Sequence, residues 1–318
     1  MLWLGLILIV AGIAILWVAA DPFVEAAARL ARIWGVSPVL VGALVIGFGT
    51  SAPELVVSGL AAARGELASS VGNVVGSNAA NLSLVLAFSV VISPVVGQLR
   101  IIRREGVITL LAMGAVVVIA WDDVLHRAEG IALVAAMAIA SLFLVRWSRQ
   151  DVRDGLAGND GFDAGEDLRV SYELARAFAS LVGIVVGAGL LVEGGGGVAE
   201  HFGLAGGFVG ATIFALGTSL PELVTAGAAA RRKANELVIG NLLGSNLFNS
   251  LLVVGLAGVV GAGAIGERRV VEHVIMLFIG LLVGILAITR RRLGRAQGVV
   301  LLASFALFLA VVAQNATV

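Results

Sequence analysis

One polar motif occurs twice in this chain, in register, inside sequence that is otherwise apolar. The first copy reads Gly49-Thr50-Ser51-Ala52-Pro53-Glu54, followed by Gly72-Asn73-Val74-Val75-Gly76-Ser77-Asn78-Ala79-Ala80-Asn81. The second reads Gly217-Thr218-Ser219-Leu220-Pro221-Glu222, followed by Gly240-Asn241-Leu242-Leu243-Gly244-Ser245-Asn246-Leu247-Phe248-Asn249. Every position of the second copy lies 168 residues after its counterpart. A polar motif duplicated at fixed register marks an internally repeated architecture. Any fold this chain adopts must give the two copies equivalent surroundings.

The surrounding sequence says what those surroundings are. Of 318 residues, 59% are hydrophobic and 13% charged, against roughly 25% charged in soluble domains. Mean hydropathy is +1.05. Such a composition belongs in a bilayer. The 42 glycines suit close helix packing in lipid. Apolar and polar residues do not alternate over long stretches, which argues against a β-barrel. Cysteine is absent and formal net charge is zero. Disulfide or thiol chemistry is therefore excluded, and nothing favours nucleic acid as a partner. Residues 2–20 have no basic residue before the apolar run and read as a retained span rather than a cleaved leader.

Ten spans are expected, near 2–20, 38–63, 67–93, 105–121, 128–146, 172–194, 206–230, 236–262, 270–289 and 297–314. Alternate loops hold sixteen of the 21 Lys and Arg, whereas the opposite loops hold Arg64, Arg127, Arg268 and Arg269. By the positive-inside rule the basic loops are cytoplasmic. The expectation is a multi-pass plasma (cell) membrane protein with both termini extracellular. Five spans separate equivalent points of the two copies, so the second crosses in the opposite sense. The fold class is thus an all-α polytopic membrane protein, built from two inverted five-helix repeats with broken helices at the midplane. The repeats are residues 1–146 and 172–318. Residues 147–171 form a short cytoplasmic linker, acidic and glycine-rich. It lacks the ligand spacing of an EF-hand and reads as a solvated connection rather than a calcium sensor.

The motifs themselves supply the candidate site. Glu54 and Glu222 fall mid-span, where a charged residue costs about 2.5–3.5 kcal/mol and needs a partner. Pro53 and Pro221 each remove a backbone donor, so the helix should break there and turn carbonyls toward a cavity. Asn73, Ser77 and Asn81 recur every four residues and make a polar stripe on the next helix. Asn241, Ser245 and Asn249 repeat it. Gly72 and Gly76, and Gly240 and Gly244, lie beside the stripes in the spacing that lets helices approach closely. The candidate ligands are all oxygens, from carboxylates, the hydroxyls of Thr50, Ser51, Ser77, Thr218, Ser219 and Ser245, amides and freed carbonyls. Hard oxygens favour Na⁺, Ca²⁺ or Mg²⁺ over zinc or copper. Two ion species competing for one ligand set is the physical basis of exchange.

These two motifs closely resemble the α-repeats of the calcium/cation antiporter superfamily, in its sodium/calcium exchanger branch and in a compact form without regulatory domains. The resemblance covers essentially the whole chain. It implies that Glu54 and Glu222, with the Thr50 and Thr218 carbonyls, hold Ca²⁺. Ser51, Ser77, Ser219 and Ser245 would complete flanking Na⁺ sites. Asn81 and Asn249 would sit at the centre, with Asn73, Asn78, Asn241 and Asn246 behind them. Asparagine at 249, where some relatives carry Asp, argues against K⁺ dependence. The implied function is antiport of Na⁺ for Ca²⁺ by alternating access, the first and sixth spans sliding across the rest. The partners would be these ions and the lipid bilayer, with no cofactor and no obligatory protein partner evident. The runner-up is a proton-coupled divalent-cation antiporter. A passive cation channel ranks lower, followed by a membrane receptor. An enzyme ranks last, because no nucleophile–base pair or metal triad is present.

Overall fold

The computed structural model describes residues 2–156, 169–201, 217–265, 270–290 and 292–316. Nearly all of these are helical. We number the helices α1 (Leu2–Trp34), α2 (Pro38–Thr50), α3 (Ala52–Ala63), α4 (Leu67–Ile92), α5 (Leu99–Asp122), α6 (Arg127–Arg153), α7 (Val170–His201), α8 (Leu220–Arg231), α9 (Asn235–Gly261), α10 (Val270–Arg290) and α11 (Arg295–Ala316). Among the described residues eight helices are long and apolar enough to span a membrane. In addition, α2 and α3 are together apolar enough for a ninth span and meet at a 47° bend. The span expected at 206–230 is represented by α8, and its first part lies outside the described residues.

Two helices run further than the apolar runs suggest. α1 has 33 residues and continues through Pro22 to Trp34, so Arg29 and Arg32 belong to a helix rather than a loop. Its last turns are amphipathic: Ala26, Ala27, Ala28, Leu30 and Ala31 are buried. On the polar face Arg29 pairs with Glu25 at 2.8 Å, one turn away. α6 likewise passes the expected boundary at 146 and ends at Arg153. It is held there because Asp151 accepts Arg100 at 2.7 Å and Arg104 at 3.1 Å. Trp147 meanwhile packs on Phe143. The first part of the expected linker is therefore helical, and residues 157–168 lie outside the described set.

Glycine sets the tightest helix pairings. α1 runs antiparallel to α7, with Gly5 against Gly194 and Gly12 against Gly187, backbone to backbone. α9 presses Gly240 and Gly244 against Val39, Gly42 and Ala43 of α2. A side chain on either glycine would meet α2 backbone, so this crossing depends on their absence.

Short antiparallel ladders close the two ends. Val95–Val96 pairs with Arg292–Leu293, and Val124–Leu125 pairs with Gly263–Ala264. Shifting Val95↔Leu293 by 168 gives Gly263↔Leu125, the register of the other ladder. The first ladder lies at the basic end of the molecule. There Gln98 donates to Glu236 at 2.6 Å, and Asn235 accepts from the Val96 N–H. Arg29, Arg100, Arg104, Arg176, Arg231 and Arg232 all gather at that end in ion pairs.

Candidate functional site

The site forms where the helices interrupt themselves. α2 stops at Thr50 and α3 restarts at Ala52, because Pro53 cannot donate to the carbonyl four residues before it. Ser51 at the break has φ −85° and ψ 7°. Ser219 precedes α8 with φ −87° and ψ 2°, and Pro221 sits in the same place in the first turn. The two breaks are therefore locally the same structure. Each aims the first turn of a helix, with its unpaired N–H groups, at the centre of the protein.

The stripe helices carry a matching device. A π turn begins at Asn81 in α4 and spans Asn81–Val85. A second spans Asn249–Val253 in α9. A π turn adds a residue to the helical repeat and re-aims the side chains after it, a geometry that clusters at functional sites. α2 also holds one, over Gly42–Gly47, against α9.

The carboxylates meet across the halves. Glu54 and Glu222 are both fully buried, at 0% exposure. Ser51 donates to Glu222 Oε1 at 2.8 Å, which links the first break to the second carboxylate. Ser77 donates to Glu54 Oε1 at 3.2 Å, and Ser219 makes a long 3.4 Å contact to the Ser77 hydroxyl. Thr50 donates to the Ile46 carbonyl at 3.0 Å and lies 3.4 Å from Asn241 Oδ1. Ser245 donates to the Gly47 carbonyl at 3.3 Å. Thr218 is also buried.

What remains unpaired is equally informative. Among the described residues the second oxygens of Glu54 and Glu222 have no hydrogen-bond partner, nor does either polar atom of Asn81 or Asn249. All four side chains are fully buried. Buried polar atoms are satisfied in more than nine cases of ten, and leaving one unmade costs about 1–3 kcal/mol. Six of the orphaned atoms fall on the two carboxylates and on the two asparagines one turn beyond Ser77 and Ser245. No Lys or Arg forms an ion pair with either glutamate among the described residues. No group of three or more His, Cys, Asp or Glu that could hold a metal is present among them either. The charge in the site comes from two carboxylates alone, supplemented by neutral oxygens, which is a donor set for hard cations.

The asparagines expected behind the site fall into two roles. Asn73 donates to Ser58 at 3.1 Å, and Ser58 donates to the Ser70 carbonyl. Asn241 donates to Thr225 at 3.3 Å, and Thr225 donates to the Pro221 carbonyl at 2.7 Å. Each amide thus fastens a stripe helix to the helix just past a break. Asn78 donates across the halves to Ser250 at 2.9 Å, while Asn246 donates to the Leu242 carbonyl. Their carbonyl oxygens are orphaned too. Ser58, Thr225 and Ser250 lie outside the duplicated motifs, and the repeat register gives no sign of them.

A family model described as sodium/calcium exchanger protein matches residues 4–146 and 173–314. The inner membrane protein YrbG of Escherichia coli (strain K12) is 30% identical, over 95% of this chain and 95% of its own. The sodium/calcium exchanger MaX1 of Methanosarcina acetivorans is 28% identical, over 98% of this chain and 99% of its own. A solved structure of the sodium-calcium exchanger NCX_Mj, soaked with 10 mM Na⁺ and 10 mM Sr²⁺, superposes with a TM-score of 0.84 at 28% identity. That likeness covers 98% of this chain and 99% of the other. The chain belongs to the sodium/calcium exchanger protein family: it is a membrane antiporter of cations, not an enzyme.

Proposed function

We propose that this chain exchanges Na⁺ for Ca²⁺ by alternating access, at a midplane site built by both halves. The observation that carries the reading is the pair of fully buried glutamates from opposite halves, each with an orphaned oxygen and no basic partner among the described residues. A pair of buried carboxylates needs about two positive charges. One Ca²⁺ supplies both, and Na⁺ ions supply them one at a time on different oxygens. In this reading Glu54 and Glu222, with the Thr50 and Thr218 carbonyls, hold Ca²⁺. Ser51, Ser77, Ser219 and Ser245 complete the Na⁺ positions, and Asn81 and Asn249 lie between them. Asn73, Asn78, Asn241 and Asn246 hold these groups from behind.

The inverted ten-span architecture, with repeats 1–146 and 172–318, is supported by the two ladders. They sit at opposite ends, and a shift of 168 exchanges them. It is supported also by the equal cap angles at Ser51 and Ser219. The clustering of basic residues at one end favours that end as cytoplasmic, with 147–171 on that side and both termini outside. α1 and α7, packed glycine to glycine, are the pair that would slide across the rest.

The test is calcium uptake into proteoliposomes loaded with Na⁺, beside matched vesicles that carry only a proton gradient. Outward Na⁺ drives uptake, and Glu54→Gln or Glu222→Gln abolishes it. Uptake driven by protons alone would move the protein to the proton-coupled reading. Current without either gradient would make it a channel.

A further inference from the structure

An apolar groove lies between α4, α5, α9 and α10, and neither carboxylate lines it. Its cavity measures about 140 Å³ and opens to the outside. Among its lining residues are Gly106, Leu110, Leu243, Gly284 and Ile288, and its one charged residue is Arg103. Two of its four lining glycines, Gly106 and Gly284, leave room beside them. A Cβ on Gly284 would have only Leu110 Cδ1 within 4 Å, at 3.8 Å. A Cβ on Gly106 would have only Ile102 Cγ2, also at 3.8 Å. Side chains would fit at both positions, and none is there.

The surroundings indicate what fills it. Val107 and Ile288, both lining residues, are 46% exposed, so the groove opens through an apolar rim, which in a membrane protein faces acyl chains. Arg103 stands at the basic end. Its neighbours Arg100 and Arg104 pair with Asp151, but among the described residues Arg103 has no ion pair or hydrogen bond. An exposed guanidinium at the mouth of an apolar slot is matched by an anionic headgroup whose acyl chain enters the slot. We propose that this groove binds one acyl chain of an anionic phospholipid, with Arg103 attracting the net negative charge of its headgroup.

The test is reconstitution of the whole protein into bilayers of equal phosphatidylglycerol and phosphatidylcholine, followed by extraction and native mass spectrometry of the retained lipid. The wild-type chain retains phosphatidylglycerol in preference. Arg103→Gln, an exposed substitution that leaves packing intact, lowers that preference about three- to ten-fold. Gly284→Leu fills the slot and removes retention of both lipids. Equal retention of the two lipids by the wild type would overturn the proposal. So would phosphatidylglycerol that survives Gly284→Leu in a folded, monodisperse protein, or a preference that Arg103→Gln leaves unchanged.

Discussion

Glu54, Glu222, Asn81 and Asn249, buried at the site with orphaned atoms, make the ion-free protein less stable than its packing would allow. Filling the site should therefore stabilise it by mass action. Asn81→Ala or Asn249→Ala removes two unsatisfied atoms, so each variant should match or exceed the wild type in ion-free Tm, by about 1 kcal/mol at most. Each should also lose most of the Tm rise that Ca²⁺ gives the wild type. Thermal unfolding in detergent, with and without Ca²⁺, checks both halves of that statement. A control is Asn78→Ala, which strands Ser250 and should lower the Tm whether or not ions are present. The motif residues were legible because they occur twice at one spacing. Ser58 and Thr225 were not. Each fastens an asparagine of the adjoining stripe helix, yet their positions are one residue out of register between the halves, so no repeat marks them.

Among the helices, glycine decides which surfaces touch. A Cβ on Gly244 would overlap Ala43 backbone in α2, whereas one on Gly59 in α3 would meet nothing within 4 Å. Gly244→Val should cost about 1–3 kcal/mol or more and displace α2 from the site, while Gly59→Ala should be neutral or slightly stabilising through helix propensity. Monodispersity and Tm of the two purified variants distinguish them. The spans of the described helices and both proline breaks are legible in hydropathy and residue type. The π turns at Asn81 and Asn249 could not, because an added residue in one turn has no compositional sign. α1 and α6 run past their apolar stretches for a related reason. Their last turns are amphipathic and held by ion pairs, Glu25–Arg29 in one and Asp151 with Arg100 and Arg104 in the other. An apolar count stops before such turns begin.

Across the whole molecule, the α1–α7 pair is tied to the rest at the basic end. Glu25 pairs with Arg176 at 2.7 Å and Arg29 with Glu173 at 3.0 Å, both within the pair. Outside it, Asp21 reaches Arg231 at 2.7 Å and Arg232 at 3.6 Å at the end of α8, and Glu25 also reaches Arg232 at 3.6 Å. Sliding of α1 and α7 would leave the first set intact and break the second. Such partly exposed pairs are worth about 0–1 kcal/mol. Asp21→Asn should therefore change the exchange rate by no more than a few-fold, more at low salt than at high, and leave Ca²⁺ affinity unchanged. Flux measured beside equilibrium binding would separate the two.

The central claim is that one site, shared by both halves, takes either ion species. Equilibrium binding of radioactive Ca²⁺ to the purified protein, titrated with Na⁺, tests it most directly. The account predicts about one Ca²⁺ per chain for a single pair of carboxylates, displaced completely by Na⁺. It predicts that Glu54→Gln and Glu222→Gln each abolish this binding, although they lie in opposite halves. Ca²⁺ bound undiminished by either variant, or bound beside saturating Na⁺, would contradict it.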